Sequence, residues 1–143
     1  MMITPLGSRL LALSALVALS GLVFGCSSPQ ANMSEKLRDG VLRYNDALRW
    51  NKFEKAVEYV PTADRSAALS DWRLDSDDNR ILEYEIESVE QLDGNKAEIT
   101  IKRQEMRRPS NIVTTRRTVQ NWTYGEDKKW QIVGERKLVR RRR

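Results

Sequence analysis

The 143-residue sequence has no histidine and a single cysteine. Without histidine it lacks the side chain that most often serves as general base, metal ligand or triad member. With one cysteine it can form no internal disulfide, although an exported protein could use one. Its main apolar run, residues 10–24, spans about fifteen residues, short of the ~20 that cross a bilayer as a helix, and it includes Ser14, Ser20 and Gly21. No internal repeat is present. The one dense acidic cluster, Asp75, Asp77 and Asp78, lacks the glycine and the distant glutamate of a calcium loop and reads as solvated surface. Neither a metal site nor a cofactor is expected.

The charge is unevenly placed. Of the 25 Lys and Arg, one (Arg9) precedes the apolar run and six (Arg136, Lys137, Arg140, Arg141, Arg142, Arg143) lie in the last eight residues. The remaining 18 face 20 acids, so residues 26–135 are close to balanced and the basic character belongs to the C-terminal segment. No aromatics interleave those arginines, and nucleic acid is not an expected partner. Anionic headgroups suit the segment better, at about 1 kcal/mol per base near a charged leaflet, with a frayed, solvated terminus as the equal alternative.

Arg9, the apolar run and the small residue Gly25 before Cys26 form a secretory leader pattern. Its end, "LVFGC", resembles the bacterial lipobox, with Val23 at −3 and Gly25 at −1. The resemblance implies residues 1–25 as signal peptide, a lipid on Cys26, and residues 26–32 as a lipidated tether. Ser27 at the next position resembles lipoproteins sorted to the outer membrane, facing the periplasm. Membrane attachment through Cys26, with the basic segment as a second signal, is the expected localisation.

The domain is read as residues 33–135. Asn32 followed by Glu35 has capping-box spacing, and Leu37, Val41, Tyr44 and Leu48 then form one apolar helical stripe. Gly40 within it allows close approach of another element. Residues 49–60 repeat the helical spacing through Phe53, Ala56, Val57 and Val60, and Pro61 breaks it or restarts it, since proline fits a first helical turn but not an interior. A third short helix is expected over 62–72, ended by a turn-rich break at 75–79. Then the period changes to two. Residues 81–88 place Leu82, Tyr84 and Ile86 on one face and Glu83, Glu85 and Glu87 on the other, with a bulge near Ser88. "DGN" at 93–95 is a hairpin turn. Strands follow at 96–107 (Ala97, Ile99 and Ile101 inward), 112–124 and 129–135. Helices followed by a four-stranded antiparallel meander predict an α+β fold, with the N-terminal helices packed on one face of the sheet.

"YNDALRWNKFEKAVEYV" and the closing "GEDKKWQIV" resemble the nuclear transport factor 2-like superfamily, the cystatin-like cone fold that includes ketosteroid isomerases. The resemblance implies a curved sheet wrapped around the long helix, with a cone mouth that either holds a ligand or is sealed.

Site candidates follow from that geometry. Tyr44 and Tyr84 are placed where an isomerase-like tyrosine would face a carboxylate. Arg103 and Glu105 extend the inward parity of Ile99 and Ile101. A solvated strand end is the preferred reading for them, and a buried pair at the mouth the alternative. Trp50, Trp72, Trp122 and Trp130 are read as core packing, with Trp122 and Tyr124 the first choice for pocket lining. The glutamate stripe is expected to pair across the outer sheet face with Lys102, Arg103, Arg116 and Arg117. Together these readings predict a lipid-anchored envelope protein that is a non-enzymatic binding or interaction module. A small apolar ligand, a protein partner or a homodimer through the sheet face are its candidate partners. The alternatives are a small isomerase-like enzyme using Tyr and carboxylate in the cone, and an accessory subunit docking through the sheet.

Overall fold

The computed structural model describes residues 34–138; the leader, Cys26, the tether, Asn32 and Arg140–Arg143 lie outside the described residues. Helix α1 (Glu35–Arg49) begins at Ser34, whose hydroxyl accepts the Leu37 N–H at 3.3 Å. The cap is therefore one position before Glu35, and the predicted stripe Leu37, Val41, Tyr44 and Leu48 is buried as expected, joined by Gly40, Asn45 and Ala47. Gly40 sits against the rings of Trp122 and Tyr59. The helix ends at Trp50, and Asn51 takes a positive φ of 53° to turn the chain.

The predicted second helix is a single turn, α2 (Phe53–Ala56), that tightens into a 3-10 turn at Val57–Tyr59. Pro61 starts another such turn, Thr62–Asp64, which runs into α3 (Arg65–Asp78). The expected break at 75–79 is instead the end of α3. Nothing from 65 to 78 is Gly or Pro, and the acids there are on an exposed surface where they need no burial. The end is fixed by Asn79, whose side chain donates to Asp75 Oδ1 at 2.8 Å. No residue of α3 is fully buried; Ala68, Leu69 and Trp72 lean on the core.

The sheet is a four-stranded antiparallel meander: β1 (Asn79–Asp93), β2 (Lys96–Arg107), β3 (Ile112–Tyr124) and β4 (Trp130–Lys137). The bulge expected near Ser88 lies between Ile86 and Ser88, and a second lies between Ile81 and Glu83. Each extra residue resets the alternation, so Ile81, Tyr84, Ile86 and Val89 all pack toward the helices, while Leu82 drops out of the predicted face. β4 runs past Glu135 and takes Arg136 and Lys137 into the sheet, opposite Val119 and Thr118.

One core joins α1 to the concave face: Leu37, Val41 and Leu48 from the helix meet Ala97, Ile99 and Ile101 of β2, Trp122 of β3, and Trp130 and Ile132 of β4. Tyr44 stands edge-on to Trp122, with centroids 5.6 Å apart at 89°. Trp50 is the exception among the tryptophans. It is 57% exposed, with the Arg49 guanidinium 5.1 Å from its ring. No helix among the described residues is long and apolar enough to cross a membrane.

Candidate functional site

Along the concave face the side chains change character from one end to the other. Ala97, Ile99 and Ile101 of β2 give way to Arg103 and Glu105, and Trp122 of β3 gives way to Gln120 and Thr118; all are buried. The solvated-strand-end reading of Arg103 and Glu105 is thus overturned. Each is only 6% exposed: Asn45 of α1 and Glu135 of β4 meet Arg103, and Arg116 of β3 meets Glu105.

A buried charge needs a partner and hydrogen bonds on its remaining atoms. Arg103 meets this through Glu135, which accepts from Nη1 at 2.7 Å and from Nη2 at 3.2 Å. Nη2 also donates to Asn45 Oδ1 at 2.9 Å. Asn45 in turn donates to Val41 O at 2.8 Å and to Gln120 Oε1 at 3.2 Å. Gln120 donates to Asn45 Oδ1 at 3.0 Å and Glu135 Oε2 at 3.1 Å, and accepts the Trp122 indole N–H at 3.2 Å. The network joins α1, β2, β3 and β4 in a closed set. Burial pulls the Arg103 guanidinium down, but the adjacent Glu135 carboxylate outweighs it and holds the group above its ordinary value.

Above this floor opens a cavity of about 430 Å³ between the sheet and α1, α2 and α3. Tyr44, Phe53 and Trp72 form its aromatic wall; the Phe53 and Trp72 centroids are 6.2 Å apart and those of Tyr44 and Trp72 6.0 Å. Asp71 and Asp75 of α3 sit in its lining. Burial, reinforced by Glu135, pushes the Tyr44 hydroxyl far above its ordinary range, so it remains a neutral donor.

Two buried polar atoms of residues around the cavity lack a hydrogen bond. Thr118 Oγ1 has none at 2% exposure. Glu105 Oε2 has Arg116 Nη1 at 3.0 Å as a charge partner, but out of line for a hydrogen bond. Unmet buried acceptors are uncommon, and each costs about 1–3 kcal/mol when nothing serves it.

Of the six pocket residues expected from the sequence, Tyr44, Arg103 and Glu105 meet in this cavity. Arg103 and Glu105 do not pair with each other, since each takes a partner from another strand. Tyr84, Trp122 and Tyr124 do not line it. The Tyr84 hydroxyl donates back to α1, at Leu42 O (3.2 Å) and Asp46 Oδ1 (3.0 Å), and burial together with Asp46 raises it well above its ordinary value. Trp122 is sealed in the core at 1% exposure, and Tyr124 packs on Trp130, 5.4 Å away. Asn45, Gln120 and Glu135 escaped the sequence reading. Asn45 follows Val41 by one helical turn, and Gln120 continues the inward alternation of Trp122, so both had a positional signal. Glu135 had none, because a bulge after Asn121 reverses its parity.

On the outer face, Lys102 pairs with Glu85 (3.1 Å), Arg117 with Glu87 (2.8 Å) and Arg136 with Glu98 (3.6 Å). Glu83 stands opposite Gln104. Arg103 and Arg116, expected in this ladder, point to the concave side instead. No group of acids or cysteine among the described residues is arranged to hold a metal ion.

No protein-family model and no curated protein sequence matches the chain. Solved structures do. A ketosteroid isomerase-like protein from Erwinia carotovora atroseptica superposes with a TM-score of 0.57 at 12% identity, over 73% of this chain and 95% of that one. An NTF-2 like protein of unknown function from Shewanella oneidensis gives 0.58 at 9% identity, over 71% and 95%. A domain of unknown function with a cystatin-like fold from Nostoc punctiforme gives 0.55 at 14% identity, over 73% and 76%. At these identities the likeness is one of fold. The described domain has the nuclear transport factor 2-like, cystatin-type cone fold.

Proposed function

We propose that this chain is a non-catalytic binding module, held at the bacterial envelope by a lipid on Cys26, that takes a small and largely apolar ligand into its cone mouth. One observation carries the reading: the cavity combines an aromatic wall, Tyr44, Phe53 and Trp72, with a polar and charged floor that includes Arg103, Glu105 and Thr118. A ligand that offers an apolar body to Tyr44, Phe53 and Trp72 and a hydrogen-bond donor to Glu105 would satisfy both features.

The enzyme reading is weaker on chemistry. Proton abstraction needs a carboxylate free to reach substrate. Glu135 is spent on Arg103 and Gln120, Glu105 faces Arg116, Asp75 accepts from Asn79 and Tyr44 is held neutral, which leaves the exposed Asp71 as the one lining carboxylate without a partner among the described residues. The outer face, where charges pair with one another, offers less to a docking partner than the mouth offers to a small molecule.

Native mass spectrometry of the protein purified from a bacterial envelope tests the proposal. A bound small molecule that is lost on denaturation, and lost in Trp72→Ala, is expected. An unliganded protein whose extracts contain no such compound would move the search to protein partners. Incorporation of labelled fatty acid that disappears in Cys26→Ala is the corresponding test of the anchor.

A further inference from the structure

β4 covers only part of β3. Their pairing runs from Thr118 to Tyr124, and the last backbone bond is from Leu138 N–H to Arg117 O at 2.8 Å. From Ile112 to Arg116, β3 has β2 on one side and no strand on the other among the described residues. In an antiparallel ladder the backbone groups of alternate residues face the same side. Since the Arg117 carbonyl faces β4, Thr115 and Val113 turn their N–H and C=O toward the side that no strand among the described residues covers.

Beside this edge runs a groove of about 1030 Å³ lined by Lys102, Arg107, Arg116 and Arg117, with no acid in its lining. Three of these bases have carboxylate partners from elsewhere: Glu85, Glu105 and Glu87. Arg107 has no ion pair among the described residues, and neither do its neighbour Arg108 and Lys137 opposite Thr118. Ile112 (59% exposed) and Leu138 (41%) add apolar surface to the same groove.

We propose that this edge accepts an extended acidic segment of another protein as an added strand. The open N–H and C=O groups of Val113 and Thr115 supply ladder bonds, the bases select carboxylates, and Ile112 and Leu138 take aliphatic side chains. The same charges argue against a second copy of this chain, because two edges rich in arginine repel one another. They also suit a peptide better than a bilayer. A headgroup plane offers anions but no backbone to complete the ladder.

The test uses the full-length chain in detergent and a fluorescent, end-capped octapeptide of alternating glutamate and valine. Binding that weakens with salt is expected, together with slowed amide exchange at Val113 and Thr115. Backbone N-methylation of the peptide, or lysine in place of its glutamates, should weaken binding about tenfold or more, the loss expected for one or two ladder bonds or a few charge contacts. Thr115→Pro, which removes an edge N–H at a position where proline is tolerated, should do the same, as should Arg107→Glu if the proline variant fails to fold. Four outcomes would overturn the proposal. One is the absence of peptide binding. Another is equal binding by the N-methylated peptide. A third is binding to phosphatidylglycerol vesicles but not to the peptide. The last is amides at Val113 and Thr115 already protected in the free protein and released by deleting residues 139–143, which would make the chain's own segment the occupant.

Discussion

The concave face has a closed end and an open end, built by the same strands to opposite rules. At the closed end Ala97, Ile99, Ile101, Trp122, Trp130 and Ile132 remove apolar surface from water, at about 25 cal/mol per Å². At the open end Arg103, Glu105, Thr118 and Gln120 take polar atoms out of water, which is unfavourable unless each atom finds a partner, and Glu135 reaches in from a partly solvated position to supply one. Apolar side chains would have stabilised the mouth at least as well. The polar set therefore points to a role other than holding the fold together. Most of it is satisfied internally, and the two residues whose atoms are left without a hydrogen bond, Thr118 and Glu105, belong to the cavity lining.

Breaking the network should separate the two ends most sharply. Arg103→Met strands Glu135, Gln120 and Asn45 around a lost cation; because the Glu135 side chain keeps 27% of its surface in water, the expected destabilisation is about 1–3 kcal/mol. Urea denaturation measures it. The double change Arg103→Met with Glu135→Leu should recover much of that loss, since no buried charge then remains alone. A double variant as unstable as the single one would show that packing of the Arg103 stem, and not the charge, holds the mouth.

A second contrast appears at high pH. Burial holds the Tyr44 hydroxyl far above the ordinary 10, so the folded protein keeps it neutral where the unfolded chain ionises. Its contribution is complete below about pH 10 and is lost as the pH rises from there toward the folded value. Tyr44→Phe should therefore flatten the alkaline fall in stability without altering the neutral range. A fall equally steep in the variant would assign it to other groups.

At the closed end, Ile101→Val removes one methylene from a fully buried side chain and should cost about 0.5–1.5 kcal/mol. On the outer face, Glu85→Gln breaks the Lys102 pair, in which the Glu85 side chain is 66% exposed, and should cost under about 0.5 kcal/mol. Both read out in the same denaturation series. A large effect of Glu85→Gln would show that the outer ladder acts as a network.

The two ends were not equally legible in the sequence. The closed end follows simple periods: the stripe Leu37, Val41, Tyr44, Leu48 and the alternation Ala97, Ile99, Ile101 lead directly to the core. The mouth depends on interruptions of those periods. Bulges at Leu82 and before Glu135 reverse the facing of every residue after them, and no local residue type announces them. Charged residues at 103 and 105 read as a strand end meeting water until Asn45, Glu135 and Arg116 are seen to meet them. The end of α3 was misjudged for a related reason: its last turn carries acids suited to a turn, yet an exposed helix tolerates them as well. Trp50 shows the converse, a large aromatic that stays outside because the helix ends beneath it.

The smallest expected effect on stability carries the most information about the cavity. Thr118→Val replaces a buried hydroxyl that has no hydrogen-bond partner with a methyl group of nearly the same shape. Where a hydroxyl is unserved its removal relieves a desolvation cost, so stability should be unchanged or should rise by up to about 1 kcal/mol. A hydroxyl that completes a ligand contact would behave differently in the two states. The purified apo variant would be as stable as the parent, while the stabilisation that bound ligand adds would shrink, because the contact at Thr118 is gone. If Thr118→Val instead weakens the apo protein by more than about 1 kcal/mol, the hydroxyl has a partner within the fold and plays no part in holding a ligand.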